Sequence, residues 1–121
     1  MESVEKAEII VRLAQQKKAK DIEVLEMKDV SIITDYFVIC SGESTTQVRA
    51  IVDYIEEEMK KRGQRPSAIE GYNLSKWVLM DYADVIVHVF EVETRAYYQI
   101  ENLWIDVPRL SFEKDKDSLD R

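Results

Sequence analysis

Two aspartates and the only histidine of the chain lie close together in one stretch of sequence, and they are its first candidates for chemistry. Residues 74–91 read LSKWVLMDYADVIVHVFE, with Asp81 ending one apolar run, Asp84 beginning the next, and His88 inside it. Converging carboxylates could hold two metal ions for nucleotidyl transfer, and a histidine beside a second reactive group could move a proton. The alternative is that this stretch forms a sheet face that another molecule contacts.

The spacing of these residues argues against catalysis. Carboxylates on one strand converge only when they lie two residues apart, because successive side chains alternate between the two faces of a sheet. Asp81 and Asp84 are three residues apart, which fits polar residues of a tight turn better than metal ligands. For His88 the chain offers no second histidine, so packing in a sheet or an interface is favoured over catalysis or metal binding. We therefore predict no catalytic residue, no metal site and no cofactor.

Two weaker candidates precede the central helix. The turn SGES (41–44) lies ahead of a helix N-terminus, where backbone amides can hold an anion. However, Glu43 would repel phosphate, and the GxxxxGK[ST] pattern is absent. Cys40 follows a β-rich run and is better explained as a small strand hydrophobe than as a nucleophile. As the only cysteine, it excludes an intrachain disulfide and fits a reducing cytoplasm.

Hydrophobic periodicity predicts the elements that position these residues. Helices are predicted over residues 3–18, 44–63 and 94–104. Strands are predicted over residues 21–27, 34–42, 76–82 and 84–92, with a short extended piece within 64–73. Ser3 and Ser44 are the expected caps of the first two helices, and Gly63 is expected to stop the second in a left-handed conformation. The link near Tyr82 and Ala83 is so short that the last two strands should form an antiparallel hairpin.

This order of elements, α-β-β-α-β-β-β-α, predicts a single domain of the α+β (mixed α/β) class. We expect a mixed sheet with helices packed on one main face of it. The domain is predicted to span residues 1–110, and order is expected to end at Pro108. Residues 111–121 are predicted to be a flexible charged tail.

Alternation along the last two strands sorts their side chains between the two faces of the sheet. The face expected to pack under the helices carries Val78, Met80, Tyr82, Val85, Val87 and Val89. The opposite face carries Trp77, Leu79, Asp81, Asp84, Ile86, His88 and Phe90. Aromatic anchors with a charged rim are typical of protein-binding surfaces, although helices on both faces would instead place Trp77 in the core. Trp104 is expected in the core, on the apolar side of the last helix with Ala96, Ile100 and Leu103.

Composition and charge narrow the class of protein. With 121 residues, 45% of them hydrophobic, the chain fits one globular domain. It has no apolar run long enough to span a membrane and no signal peptide. The net charge of −7 argues against non-specific nucleic-acid binding, which needs lysine and arginine. Between Glu70 and Asp106, seven acidic residues outnumber two basic ones, so this half should attract a basic partner.

Four blocks of sequence, in order, resemble the ribosomal silencing factor family, whose members are also called Iojap-like proteins. The blocks are ITDYFVICSG (33–42), STTQVRAI (44–51), EGYNLSKWVLMDYADVIVHVF (70–90) and RAYYQIENLWIDVP (95–108). The resemblance extends over residues 5–110, so it covers nearly the whole chain.

The resemblance implies a function. Proteins of this family bind the large ribosomal subunit at the ribosomal protein numbered fourteen, on the intersubunit face, and sterically block joining of the small subunit. Translation is thereby turned down when nutrients are short. The family fold is similar to that of nucleotidyltransferases but lacks their catalytic carboxylate pattern, and its members are often homodimers when free. The resemblance thus implies a cytoplasmic translation repressor that is not an enzyme.

These two lines of reasoning agree on a basic ribosomal protein as partner, with little direct contact to nucleic acid. The residues predicted in or near the contact are Trp77, Leu79, Asp81, Tyr82, Asp84 and His88, extended by Glu70, Tyr98 and Glu101. Two alternatives stay open at this point. One is a nucleotide-handling enzyme of nucleotidyltransferase-like fold, and the other is a plain homodimerisation module.

Overall fold

A six-stranded mixed sheet forms the centre of the computed structural model, which describes residues 1–112. The elements are α1 (Ser3–Gln16), β1 (Lys20–Glu26), β2 (Tyr36–Gly42), α2 (Thr45–Lys61), β3 (Ala68–Glu70), β4 (Trp77–Asp81), β5 (Val85–Glu91), α3 (Val92–Tyr98), a 3₁₀ helix (Ile100–Trp104) and β6 (Arg109–Leu110). The strand order is β3-β4-β5-β2-β1-β6. Strands β2 and β5 run parallel, and every other neighbouring pair is antiparallel. The predicted α+β domain with a mixed sheet and a β4–β5 hairpin is confirmed.

The start of α2 is capped as predicted, whereas that of α1 is not. The Ser44 hydroxyl accepts a hydrogen bond from the Gln47 amide at 3.1 Å, and the Gln47 side chain accepts one from the Glu43 amide at 2.7 Å. Gly63, with φ +76°, follows α2 in the predicted left-handed conformation. In α1 the cap position is Glu2 rather than Ser3, and its side chain makes no capping hydrogen bond.

Helices α1 and α2 cover one face of the sheet. Their apolar stripes, including Ile10, Ile51 and Ile55, pack on the alternating residues of the four central strands. The six side chains predicted for this face, namely Val78, Met80, Tyr82, Val85, Val87 and Val89, are all buried there. Each fully buried aliphatic side chain stabilises the fold by about 1.5–3 kcal/mol. The prediction of this core from strand alternation is confirmed.

Helices α1 and α2 lie on one main face as predicted, and the opposite face is partly covered by the C-terminal segment. Ile100 and Trp104 of the 3₁₀ helix pack there on a smaller apolar cluster that includes Leu25, Ile39 and Phe90. Trp104, predicted in the core, is half-buried at the edge of this smaller cluster.

The predicted last helix, over 94–104, is broken at Gln99. This residue has a left-handed backbone with φ 48°, so the chain leaves α3 and re-enters as the 3₁₀ helix. The predicted apolar stripe therefore does not form as one continuous surface. Ala96 and Leu103 are exposed rather than buried, and Arg95 is buried in their place.

The chain stays ordered beyond Pro108, where order was expected to end. Arg109 and Leu110 form β6, which pairs antiparallel with β1 at the edge of the sheet. Phe112 packs against the helix-covered core, two residues past the predicted domain boundary. The rest of the predicted flexible tail, residues 113–121, lies outside the described residues. Within residues 1–112, no helix has the length and apolarity needed to cross a membrane.

Candidate functional site: a partly open sheet face

The part of the second sheet face that α3 and the 3₁₀ helix leave uncovered forms a shallow, partly apolar surface. We call it the open sheet face, and it comprises Phe37, Glu70, Trp77, Leu79, Asp81 and Ile86. All six side chains are half-buried except that of Glu70, which is exposed. Strand pairing creates the surface, since Ile86 lies opposite both Phe37 and Asp81, and Leu79 lies opposite Glu70. The result is an apolar centre with carboxylates at its rim.

Trp77 is held at one end of this face by a packed aromatic group. Its indole Nε1–H donates to His88 Nδ1 at 3.1 Å. Its ring stacks on Phe90 at 4.8 Å between centroids and contacts Tyr98 at 5.2 Å. Phe37 presents an edge contact to the His88 ring at 4.8 Å. Trp77 is thus neither free nor fully in the core, because one part of its ring is fixed by neighbours and the rest is accessible.

His88 lies beneath the open sheet face rather than on it. Only 5% of the residue is exposed. Burial lowers the pKa of the imidazole from its ordinary 6.5 to about 4, against an opposing effect of the Glu101 carboxylate. A ring kept neutral and packed among aromatic side chains fits the packing role favoured by the sequence. It has no access to a partner or a substrate.

Glu101 belongs to a partly buried ionic cluster rather than to the open sheet face. The guanidinium of Arg95 donates to Glu101 at 2.8 Å, to the Ser41 hydroxyl at 2.9 Å and to Glu23 at 3.2 Å. Glu23 also accepts from Arg109 at 3.4 Å. Because these groups come from β1, β2, α3, the 3₁₀ helix and β6, the cluster fastens the C-terminal segment to the sheet. Arg95 was not among the functional residues predicted from the sequence.

Asp81 and Asp84 do not converge on a common site. The Asp81 carboxylate accepts from the Ala83 amide at 2.8 Å inside the β4–β5 turn, where Ala83 has φ 71°. The Asp84 carboxylate pairs with Lys6 of α1 at 2.6 Å. Asp84 therefore turns toward the helix-covered side and not toward the face predicted from strand alternation, because it lies before β5 begins. Among residues 1–112, no group of three or more His, Cys, Asp or Glu side chains could hold a metal ion.

Tyr82 and Cys40 are buried on the helix-covered side of the sheet. Tyr82 is 3% exposed, and burial raises the pKa of its phenol. Its side chain therefore cannot form part of an accessible contact, although the sequence placed it among the contact residues. Burial raises the pKa of the Cys40 thiol to about 12, which keeps it protonated and fits the predicted structural role.

A family model described as ribosomal silencing factor during starvation matches residues 1–121. The chain belongs to this family. It is 40% identical to the ribosomal silencing factor RsfS of Halalkalibacterium halodurans, over 93% of this chain and 97% of that protein. It is 41% identical to RsfS of Bacillus subtilis, over 83% of this chain and 85% of that protein. A more distant relative is the mouse protein named mitochondrial assembly of ribosomal large subunit protein 1, 35% identical over 80% of this chain and 44% of that protein.

Solved structures share the fold. A Bacillus halodurans protein superposes with a TM-score of 0.78 at 38% identity, covering 87% of this chain and 95% of its own. A Chromobacterium violaceum protein superposes with a TM-score of 0.85 at 29% identity, with both chains fully covered.

The nine predicted contact residues fall into three groups. Glu70, Trp77, Leu79 and Asp81 form most of the open sheet face, and Tyr98 adjoins it through Trp77. His88 lies directly beneath it, whereas Tyr82, Asp84 and Glu101 face other parts of the molecule. Sequence analysis did not single out Phe37, which joins the surface only through the parallel pairing of β2 with β5. Contact of any of these side chains with a partner stays a prediction.

Proposed function

We propose that this protein represses translation by binding the large ribosomal subunit and blocking the small subunit from joining it. Membership of the silencing factor family supports a role on the ribosome, and the name of the mouse relative points to the large subunit. The observation that carries the proposal is the open sheet face, where half-buried Leu79 and Ile86 are rimmed by Glu70 and Asp81. An apolar centre with a polar rim is the usual composition of a protein-binding surface.

The partner within the large subunit is, in this proposal, the ribosomal protein numbered fourteen on the intersubunit face. A chain with a net charge of −7 is repelled by ribosomal RNA but attracted to a basic ribosomal protein. Complementary charge would speed the encounter and disfavour other partners. The acidic rim of the open sheet face is placed to supply that complementarity.

Silencing by this route is occupancy rather than catalysis. The bound factor fills space that the small subunit needs, so inhibition depends on affinity and concentration alone. The proposal therefore assigns the protein no catalytic residue, no cofactor and no enzymatic activity, and it places the protein in the cytoplasm with the ribosomal subunits. We also propose that the free protein is a homodimer, in which a second copy covers apolar surface that the ribosome would otherwise cover.

Co-sedimentation tests the proposal. The purified protein is mixed with isolated large subunits, small subunits are added with magnesium, and the mixture is separated on a sucrose gradient. We expect the protein to travel with the large subunits and the joined-ribosome peak to shrink. Leu79→Glu, which puts a charge in the centre of the open sheet face, should weaken binding at least about tenfold.

The matched control is Val4→Glu, which puts the same charge on an exposed position of α1 and should bind as the wild type does. If the wild-type protein stays at the top of the gradient while subunits join normally, the ribosomal proposal fails. Magnesium-dependent nucleotide binding would then test the alternative of a nucleotide-handling enzyme, and sedimentation velocity of the free protein would test that of a homodimerisation module.

A further inference from the structure

A concave surface adjoins the open sheet face across Trp77. The segment 71–76 and helix α3 line an open cleft with a volume of about 780 Å³. We call it the aromatic cleft, and the side chains that carry the argument are Tyr72, Trp77, Glu91, Glu93, Tyr97 and Tyr98. Trp77 belongs to both surfaces, so a molecule that contacts Trp77 on the open sheet face reaches the edge of the cleft.

The walls of the cleft are aromatic rings held in fixed relation to one another. Tyr98 contacts Trp77 at 5.2 Å between ring centroids, and Tyr97 meets Tyr98 edge-on at 5.0 Å. Nevertheless Tyr97 is 81% and Tyr98 53% exposed. Two exposed tyrosines beside half-buried Trp77 therefore offer ring faces to a ligand. The faces of such rings attract a cation that comes within about 6 Å of the ring centroid.

The charge of the cleft is negative. Two carboxylates, those of Glu91 and Glu93, line it together with one ammonium group, that of Lys76. Within residues 1–112 neither glutamate takes part in an ion pair, and Glu91 accepts a hydrogen bond from the Thr94 hydroxyl at 3.1 Å. Both carboxylates therefore keep acceptor capacity for an incoming donor.

We propose that the aromatic cleft binds an arginine side chain of the protein that covers the open sheet face. A guanidinium is planar, stacks on aromatic rings and donates to a carboxylate through two parallel hydrogen bonds, so it fits rings and carboxylates at once. A lysine ammonium supplies the positive charge, but it does not stack on aromatic rings and does not donate two parallel hydrogen bonds to one carboxylate. A nucleic-acid base would stack on the same rings, but Glu91 and Glu93 would repel its phosphate. This inference rests on the proposed function and names the side chain that the partner contributes.

The test on the ribosome compares large-subunit affinity for two cleft variants and two controls. Tyr97→Ala removes an exposed ring, and Glu93→Gln removes a charge while keeping the shape. We expect Tyr97→Ala to weaken binding about fivefold and Glu93→Gln about threefold. Leu103→Ala and Glu57→Gln change exposed side chains outside the cleft and should bind as the wild type does. Cleft variants with wild-type affinity would overturn the inference and leave the proposed function standing.

A second measurement needs no ribosome. The Trp77 indole N–H resonance of the ¹⁵N-labelled full chain is followed while a capped Ala-Arg-Ala peptide is added, and again with Ala-Lys-Ala and with the citrulline peptide. We expect saturable shifts for arginine, smaller ones for lysine and none for citrulline, which has the shape of arginine without its charge. Equal responses to arginine and citrulline, or no response to either, would overturn the inference. If the wild-type protein responds to the arginine peptide but does not bind large subunits, the proposed function alone is refuted.

Discussion

At the scale of single residues, His88 shows how the sheet supports its own surface. Its Nδ1 accepts a hydrogen bond from the Trp77 indole N–H at 3.1 Å, so the proton of the neutral imidazole must be on Nε2. That Nε2 is buried and has no partner among the described residues. The neutral ring thus holds the indole of Trp77 in position. A positive charge on this ring would be removed from water and would lie in an unfavourable environment.

The buried imidazole makes stability depend on pH. The imidazole has its ordinary pKa of 6.5 in the unfolded chain, whereas burial lowers its pKa to about 4 in the folded protein. Between these values the unfolded state binds more protons, so stability falls as pH falls. We expect this group to remove roughly 3 kcal/mol between pH 7 and pH 4. In His88→Phe that component should disappear, and urea unfolding at a series of pH values measures the difference. Parallel pH profiles for the two proteins would contradict the assignment.

At the scale of elements, the turn before β4 fixes where Trp77 begins its strand. Gly71 has φ +83°, and a Cβ built on it would collide with the backbone carbonyl oxygen of Trp77. The segment 71–76 is further closed by the Ser75 amide, which donates to the Gly71 carbonyl at 3.0 Å. Only glycine meets both the conformational and the steric requirement at this position.

Two glycine substitutions separate those requirements. Gly63 has φ +76°, but its Cβ would meet no atom within 4 Å, so Gly63→Ala should cost only the left-handed penalty of about 1 kcal/mol. Gly71→Ala adds the collision with Trp77 and should cost about 3 kcal/mol or more. Urea midpoints measure both, and the Trp77 indole resonance should move only in Gly71→Ala. Equal losses in the two variants would show that the contact at Trp77 relaxes without cost.

The position of the C-terminal segment depends on both local backbone conformation and contacts with distant residues. The backbone of Gln99 breaks the helix, and Arg95 then binds Glu101, Ser41 and Glu23. A buried guanidinium needs such partners, because an unpaired charge in the interior is strongly destabilising. The cover that defines the boundary of the open sheet face is therefore fixed by ionic contacts as well as by Ile100 and Trp104.

At the scale of the whole molecule, charge is distributed unevenly along the chain. The acidic half runs from Glu70 to Asp106, while lysines cluster at positions 17, 18 and 20. Lys20 pairs with Glu43 just before α2, and Lys17 lies over the ring of Tyr54 in α2 at 4.7 Å. The open sheet face is built from the acidic half together with Phe37, so its carboxylates favour a basic partner.

Association with the large subunit should slow as salt is added. Raising monovalent salt from roughly 0.05 to 0.2 M at constant magnesium screens attraction between opposite charges, so we expect the association rate constant to fall several-fold. Stopped-flow fluorescence measures it. Charge reversal at Lys18, on the opposite side of the charge distribution, should leave the salt dependence unchanged. An association rate that rises with salt would mean that repulsion from RNA phosphates dominates the encounter, against the proposed basic protein partner.

The candidate site could be predicted from the sequence to the extent that strand alternation governs it. Trp77, Leu79 and Asp81 share a face because side chains alternate along any strand, and the valines of β5 mark the opposite face as core. The rule failed at Asp84, which lies in a turn and bonds to Lys6. It also could not show that Phe37 lies beside Ile86, since that neighbour relation joins strands far apart in the chain.

The sequence by itself determined the family, the helices and strands other than β6 and the break at Gln99, the apolar face of β4 and β5, and the acidic charge of the C-terminal half. These properties depend on residue type and short-range periodicity. The tertiary structure alone decided that β2 and β5 run parallel, that Gln99 breaks the last helix, and that Arg95 is buried. Those outcomes depend on contacts between segments that are far apart in the chain. Such contacts supply the partners of a buried charge, and they decide how much of a sheet face is covered.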